Sequence, residues 1–221
     1  LRYLSLFSGI EAASVAWHSL GWTPIAFAEI DPFCCEILKQ KYPDVPNLGD
    51  VRKIDGKTYR GKFDLLVGGS PCQSVSTAGR REGMAGESGL VTEFTRILGE
   101  ALPEWFVWEN VPGALSQEGG LFFRELLQTW TDLGFGVAWR ICDSQYWGVP
   151  QRRRRVFAVG HLGDFQSAAQ VLFEPESLLG DSATSRAKRE TSTTASREES
   201  KKFPPPGHIA LTGELPLPLE D

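Results

Sequence analysis

Three stretches hold side chains able to do chemistry. The first is FDLLVGGSPCQSVSTAGRREGM, residues 63–84, where Cys72 follows Pro71 just past an apolar run. A structural cysteine would sit inside such a run as a small hydrophobe, whereas one held at the mouth of a Gly-, Ser- and Thr-rich loop is placed as a nucleophile. The second is EWFVWEN, residues 104–110, which ends in Glu109-Asn110. A carboxyl beside so apolar a segment is partly desolvated, which favours its neutral form and makes it a proton donor; pairing with an arginine is the alternative. The third is QRRRRVF, residues 151–157, with Arg152, Arg153, Arg154 and Arg155 in a row. That row is either a solvated surface run or a local basic site in an otherwise acidic chain.

For these groups to act together, the elements carrying them must end on one rim. Short apolar or aromatic runs (RYLSLF, PIAFAEI, FDLLVGG, EWFVWEN, RVFAVGHL) alternate with helical patterns over Glu11–Leu20, Pro32–Tyr42, Leu90–Leu102 and Leu121–Leu133. Pro32 suits a first helical turn capped by Asp31, and Gly134 suits a helix end. Strand runs this continuously apolar are covered on both faces, so the pattern predicts an α/β domain with a mostly parallel sheet and helices on both sides. Ligands of such sheets bind outside the carboxyl ends of the strands. Four of the predicted strands end in residues a core does not need: Ser8-Gly9-Ile10, Glu29, Pro71-Cys72 and Glu109-Asn110.

Strand, glycine turn, helix, strand, acid is the order of a nucleoside-binding half, with Glu29 placed for ribose hydroxyls. The turn reads Gly9-Ile10-Glu11 rather than GxGxxG, and a carboxylate in the cradle counts against a pyrophosphate, hence against NAD and FAD. A nucleoside without phosphate, such as S-adenosylmethionine, fits better. An ordinary strand-to-helix turn with a surface Glu11 is the plainer alternative.

Composition excludes other classes. The chain has 221 residues and a net charge of -5, enough for one domain with a core and mildly against a uniformly basic nucleic-acid binder. No apolar run approaches the roughly 20 residues needed to cross a bilayer, and no signal-peptide pattern opens the chain, so a cytoplasmic, intracellular protein is expected. Cys34, Cys35, Cys72 and Cys142 lack CxxC spacing and only three histidines accompany them, so no metal is expected. The sole methionine is Met84, which implies that the sequence begins after its natural start or has been processed. Oligomeric state is not legible.

Taken together, LSLFSGIEAASVAW, AFAEIDPFCCEIL, LGDV, DLLVGGSPCQSVSTAG, ENVPGAL and YWGVPQRRRRVFAVG resemble, in that order, the cytosine-5 DNA methyltransferase family over residues 1–163. The resemblance implies a Rossmann-like methyltransferase fold that uses S-adenosylmethionine, releases S-adenosylhomocysteine and acts on double-stranded DNA. It assigns Cys72 as nucleophile, Glu109 as partner of cytosine N3, Asn110 as loop support, and Arg153 and Arg155 near the cytosine carbonyl and the active-site loop. It assigns cofactor contacts to Phe7, Gly9, Ile10, Glu29, Ile30, Asp50, Val51, Gly69, Pro71 and Leu90, with Asp50 receiving the adenine amino group. The segment from Gln73 to Gly89 would close on nucleic acid, with Gln73, Ser76, Arg80 and Arg81 as contacts; a merely solvated Arg80–Arg81 pair remains open. The chemistry accounts for the residue types. Cytosine C5 becomes nucleophilic once a thiolate adds to C6, and a proton donor at N3 lowers the barrier.

Three features depart from the family. Glu11 stands where a glycine is common, Ile30 where an aromatic residue often meets the adenine, and no C-terminal target-recognition region is visible. Residues 1–165 are read as the catalytic and cofactor-binding domain and 166–202 as a polar flexible linker. Residues 203–221 are proline-rich, undetermined, and read as the start of a truncated target-recognition region. Two readings compete with DNA cytosine-5 methylation. One is the same chemistry on RNA, separable by comparing methyl acceptance of duplex DNA and transfer RNA. The other is an inactive remnant that only binds cofactor or nucleic acid. The target site and the biological role, whether restriction-modification, phage protection or regulation, are not encoded legibly.

Overall fold

The computed structural model describes residues 1–71, 89–148 and 150–173. Six strands form one sheet in the order β2-β1-β3-β4-β6-β5. They are β1 Arg2–Leu6, β2 Thr23–Ala28, β3 Leu65–Gly68, β4 Trp105–Asn110, β5 Phe135–Asp143 and β6 Arg154–Leu162. β1 to β4 pair in parallel, while β6 runs antiparallel to both β4 and β5. The carboxyl ends of β1, β2, β3 and β4 therefore share one rim, as the sequence predicts.

Helices α1 Ala12–Trp17, α2 Pro32–Lys41, α3 Gly89–Ala101, α4 Leu121–Asp132 and α5 Phe165–Phe173 cover both faces. In α3 the buried positions Val91, Phe94, Leu98 and Ala101 recur at helical spacing, so one stripe faces the sheet. Phe123, Leu126 and Trp130 do the same in α4. These residues meet Leu4, Leu6, Leu66, Phe106 and Trp108 in the larger core, each large side chain contributing about 1.5–3 kcal/mol on burial. On the opposite face Tyr3 bonds Ser14 of α1, the Phe27 ring meets Tyr42 just past α2, and α5 buries Ala168 and Leu172 against Ala138 and Val159. The Asp31 carboxylate caps α2 by accepting from Cys34 N at 2.9 Å, with Pro32 in the first turn.

Two elements lie outside the sequence-based expectation. β5 (FGVAWRICD) carries Arg140 in mid-strand, which breaks the apolar run; yet Arg140 is buried and its guanidinium donates to Leu172 O at 2.9 Å, at the C-terminal end of α5. α5 occupies residues 165–173, the first part of the stretch read as linker. Its backbone lies so close to the sheet that a Cβ on Gly136 would stand 2.3 Å from Phe165, and Asp164 caps it through Gln166 N and Ser167 Oγ. The folded domain therefore extends to Phe173, and the remainder of the linker and the 203–221 segment lie outside the described residues. Among the described residues no helix is long and apolar enough to cross a membrane, and no group of three possible metal ligands occurs.

Candidate active site

The turn after β1 puts Phe7, Gly9 and Glu11 at φ 53°, 55° and 67°. That region costs a residue with a Cβ roughly 1–2 kcal/mol, so Phe7 and Glu11 need compensation. Phe7 finds it by packing on the core. Glu11 finds it in hydrogen bonds: Oε1 accepts from Ser14 N at 3.0 Å and from Ser14 Oγ at 3.2 Å, and Oε2 accepts from Ser5 Oγ at 2.8 Å. Because the Ser14 hydroxyl donates to Glu11, the Tyr3 hydroxyl 2.5 Å away donates to Ser14. Glu11 is 1% exposed, not the surface residue the plainer reading expects, and burial holds its pKa above the ordinary carboxyl range. The side chain points beneath the turn and away from any cradle. Its presence is therefore no argument against a pyrophosphate.

Glu29, at the exit of β2, reaches across to this turn. Its Oε2 accepts from Gly9 N at 2.7 Å, and its Oε1 accepts from Ile30 N and Asp31 N, both at 2.8 Å. Asn47 fixes the same residue from the other side, accepting from Glu29 N and donating to Glu29 O, each at 3.0 Å. The two turns are thus joined through one carboxylate, and exposed Ile10 and Ile30 flank it. Sequence reasoning missed Asn47; no spacing signal marks it.

Asp50 is ion-paired with Arg52 at 2.7 Å, and its carboxylate also caps the short helix Val51–Lys53. These bonds pull its pKa below the usual range. The Val51 side chain is spent on the core, and its carbonyl accepts from Arg96 at 3.1 Å. Arg96 also holds Ile54 O, Glu93 and Glu100, so α3 fixes the Asp50–Val51 segment from below. Leu90, in the first turn of α3, packs on the core.

The exits of β3 and β4 meet. A Cβ on Gly69 would lie 2.8 Å from Glu109 Oε2, so only glycine leaves this carboxylate its place. One residue on, buried Ser70 is held twice from β4. Trp108 Nε1 donates to its hydroxyl at 3.0 Å, and Asn110 Nδ2 donates to its carbonyl at 3.1 Å. The Asn110 side-chain oxygen Oδ1 in turn accepts from Val111 N at 2.8 Å. Pro71 follows, exposed on the rim. Cys72, Gln73, Ser76, Arg80 and Arg81 lie outside the described residues.

β6 brings the arginine row to the same rim. Glu109 pairs with Phe157 in register, which places Arg155 diagonally across on the same face. Arg155 Nε stands 2.9 Å from Glu109 Oε1, so the arginine-paired alternative is the arrangement observed. Arg152 reaches Asp143 at 4.0 Å. Arg153 is exposed and does not join this cluster, although its carbonyl accepts from Ser144 N at 3.0 Å.

The donor set suits a phosphate-free nucleoside. The space where a Gly9 side chain would lie is open, apolar Ile10 and Ile30 stand beside it, and the carboxylates on this side are Glu29 and Asp50, the latter paired with Arg52. Carboxylates accept from hydroxyl and amino groups and repel phosphate.

Comparison with known proteins is consistent with this arrangement. The C-5 cytosine-specific DNA methylase family matches residues 1–205. A protein of Escherichia phage P1 named DNA N-6-adenine-methyltransferase is 38% identical, the match covering 86% of this chain and 32% of the phage protein. Type II methyltransferase M.AquIA of a Picosynechococcus species is 35% identical, covering 72% of this chain and 71% of the relative. The structure of S. pombe Dnmt2 methyltransferase superposes with TM-score 0.64 at 20% identity, over 74% of this chain and 51% of that one. The last shares the fold. The chain spans about a third of the length of the phage protein.

Proposed function

Since the chain belongs to the C-5 cytosine-specific DNA methylase family, we propose that it transfers a methyl group from S-adenosylmethionine to C5 of a cytosine in double-stranded DNA. S-adenosylmethionine, when bound, supplies an electrophilic methyl group. Glu29 and Asp50 would hold its ribose and adenine amino groups, with Phe7, Gly9, Ile10, Ile30, Val51, Gly69, Pro71 and Leu90 around them. The carboxylate of Glu29, already shared among three backbone N–H groups, keeps lone-pair capacity on Oε2.

Cytosine C5 and C6 are inaccessible in a stacked duplex, so the base is flipped to the rim. The Cys72 thiolate bonds to C6 and the ring's π electrons move toward C5 and N3, while Glu109, protonated from solvent before the base docks, passes that proton to N3. Once C5 carries its new substituent, solvent water takes the C5 proton and the C–H electron pair forms the C5–C6 double bond. The sulfur–C6 bond breaks as that pair moves, the thiolate is restored and N3 returns its proton to Glu109. Arg155 orients Glu109 through Oε1, leaving Oε2 beside Gly69, on the side from which the chain runs to Cys72. That close approach of Gly69 and Glu109 is the observation that carries the reading: it fixes the chain leading to the thiol beside an arginine-oriented carboxyl.

The name of the phage P1 relative favours a second reading, methylation of adenine N6. An exocyclic amino nitrogen attacks a methyl donor directly and needs no thiol adduct. The test is incubation with cofactor and duplex DNA containing 5-fluorocytosine. The proposed route predicts a covalent complex that survives denaturation and disappears in Cys72→Ser. Methyl acceptance at adenine without trapping would establish the second reading, and acceptance by transfer RNA but not duplex DNA would move the chemistry to RNA.

A further inference from the structure

Arg96 stands in α3 outside the stripe that faces the sheet, with Glu93 one turn before it and Glu100 one turn after. Such a triplet on a helix is ordinarily a solvated ion-pair run that contributes little. Here the arginine is half-buried, and every N–H of its planar fork has a partner. Nε donates to Glu93 Oε2 at 2.8 Å, and Nη1 donates to Glu100 Oε2 and to Ile54 O, each at 2.9 Å. Nη2 donates to Val51 O at 3.1 Å and stands 2.7 Å from the same Glu93 oxygen. Two of these bonds leave the helix for carbonyls 42 and 45 residues earlier in the chain. A lysine ammonium, a single point of charge, cannot meet acceptors on the helix and on that segment at once.

The two carbonyls belong to the turn that presents Asp50. The Asp50 carboxylate caps the short helix Val51–Lys53 by accepting from Arg52 N at 3.0 Å, and Lys53 N donates to Asp50 O at 2.9 Å. The direction of the carboxylate is therefore the direction of the turn. Its pair with Arg52 cannot set that direction, because Arg52 rides on the same turn and its side chain is 64% exposed. The buried side chains of Val51 and Ile54 fix the depth of the turn, but apolar packing is not directional. On this side of Asp50 the directional ties come from α3. Arg96 supplies two, and Glu100 Oε2 supplies a third by accepting from Gly56 N at 2.8 Å. A Cβ on Gly56 would stand 2.8 Å from Glu100 Cβ, so the backbone beyond the turn lies directly on the helix.

We infer that Arg96 is a positioning residue for the adenine end of the cofactor site: through the Val51–Ile54 turn it aims the Asp50 carboxylate at the adenine amino group. This rests on the proposed binding of S-adenosylmethionine. The test is the calorimetric affinity of the full chain for S-adenosylhomocysteine and for its inosine counterpart, which carries an oxygen in place of that amino group. Arg96→Lys keeps the charge and loses the fork. It should weaken S-adenosylhomocysteine about tenfold and leave the inosine counterpart within about twofold. In an Asp50→Ala background the same substitution should have no further effect on either ligand. Unchanged affinity in Arg96→Lys would overturn the role. So would an equal loss with both ligands and in both backgrounds, which marks a merely structural arginine. If Arg96→Lys does not fold, Glu100→Gln, which weakens an anchor shared by Arg96 and Gly56 N, should give the same selective loss on a smaller scale, and a loss equal for both ligands would again overturn the role. A natural protein that binds neither ligand would overturn the cofactor reading itself and this inference with it.

Discussion

The side-chain amide of Asn110 donates to the carbonyl of Ser70 at 3.1 Å, joining the end of β4 to the residue two positions before Cys72. Trp108 holds the hydroxyl of the same serine at 3.0 Å. Two neighbouring strands therefore fix the stem from which the proposed nucleophile leaves. Replacing Asn110 by Ala strands a buried carbonyl, which costs about 1–3 kcal/mol. Urea melts should show that loss, and turnover should fall by more than the stability change explains. Wild-type turnover in a stable Asn110→Ala protein would remove the loop-support role.

Gly69→Ala puts a methyl group 2.8 Å from Glu109 Oε2, closer than the two can stand. The carboxylate must move, and with it the bond to Arg155. A displacement of this size at a reacting group is expected to lower kcat by about 100-fold. Steady-state kinetics and a structure of the variant would report it; unchanged kcat would mean that Glu109 does not act from its observed position.

Glu29→Ala removes the acceptor for Gly9, Ile30 and Asp31 N–H groups at once. Cofactor affinity measured by calorimetry should drop about tenfold or more, with Glu29→Gln in between because one oxygen remains. Equal affinity in all three proteins would defeat the assignment of Glu29 to the cofactor.

Glu11 gives a pH signature. Burial raises its pKa in the folded protein above the ordinary 4.5, so the folded state binds the proton more tightly than the unfolded state. The stability this contributes is complete below about pH 4.5 and is lost as pH rises through the folded value. Relative to Glu11→Gln, which cannot titrate, the natural protein should lose stability across that window and then level off. Melts of both proteins as a function of pH check this. A constant difference between them would mean that Glu11 titrates normally.

Most of the rim was legible because strand ends announce themselves. An apolar run that stops at Glu29, Pro71 or Glu109 marks both the strand and the place where its polar residue emerges. What escaped lies where tertiary contacts outweigh local pattern. Arg140 interrupts β5 in sequence, yet a helix-terminal carbonyl receives it in the fold. α5 rests on Ala168 and Leu172, and a buried alanine gives little signal. Glu11 reads as a surface residue until Ser5 and Ser14 are seen to enclose it. The tie of Ser70 to Trp108 spans 38 residues and has no spacing rule.

The reversed direction of β6 has a consequence for how the rim is supplied with side chains. Strands that run alike each reach the working edge once, and the chain must then recross the domain to return. A strand of opposite sense lets the polypeptide arrive at Asp143 and depart at Arg154 without leaving that edge. One hairpin thus serves that edge twice, with Asp143 on the outgoing strand and Arg155 on the returning one, while the carboxyl-bearing strand beside it keeps its alignment.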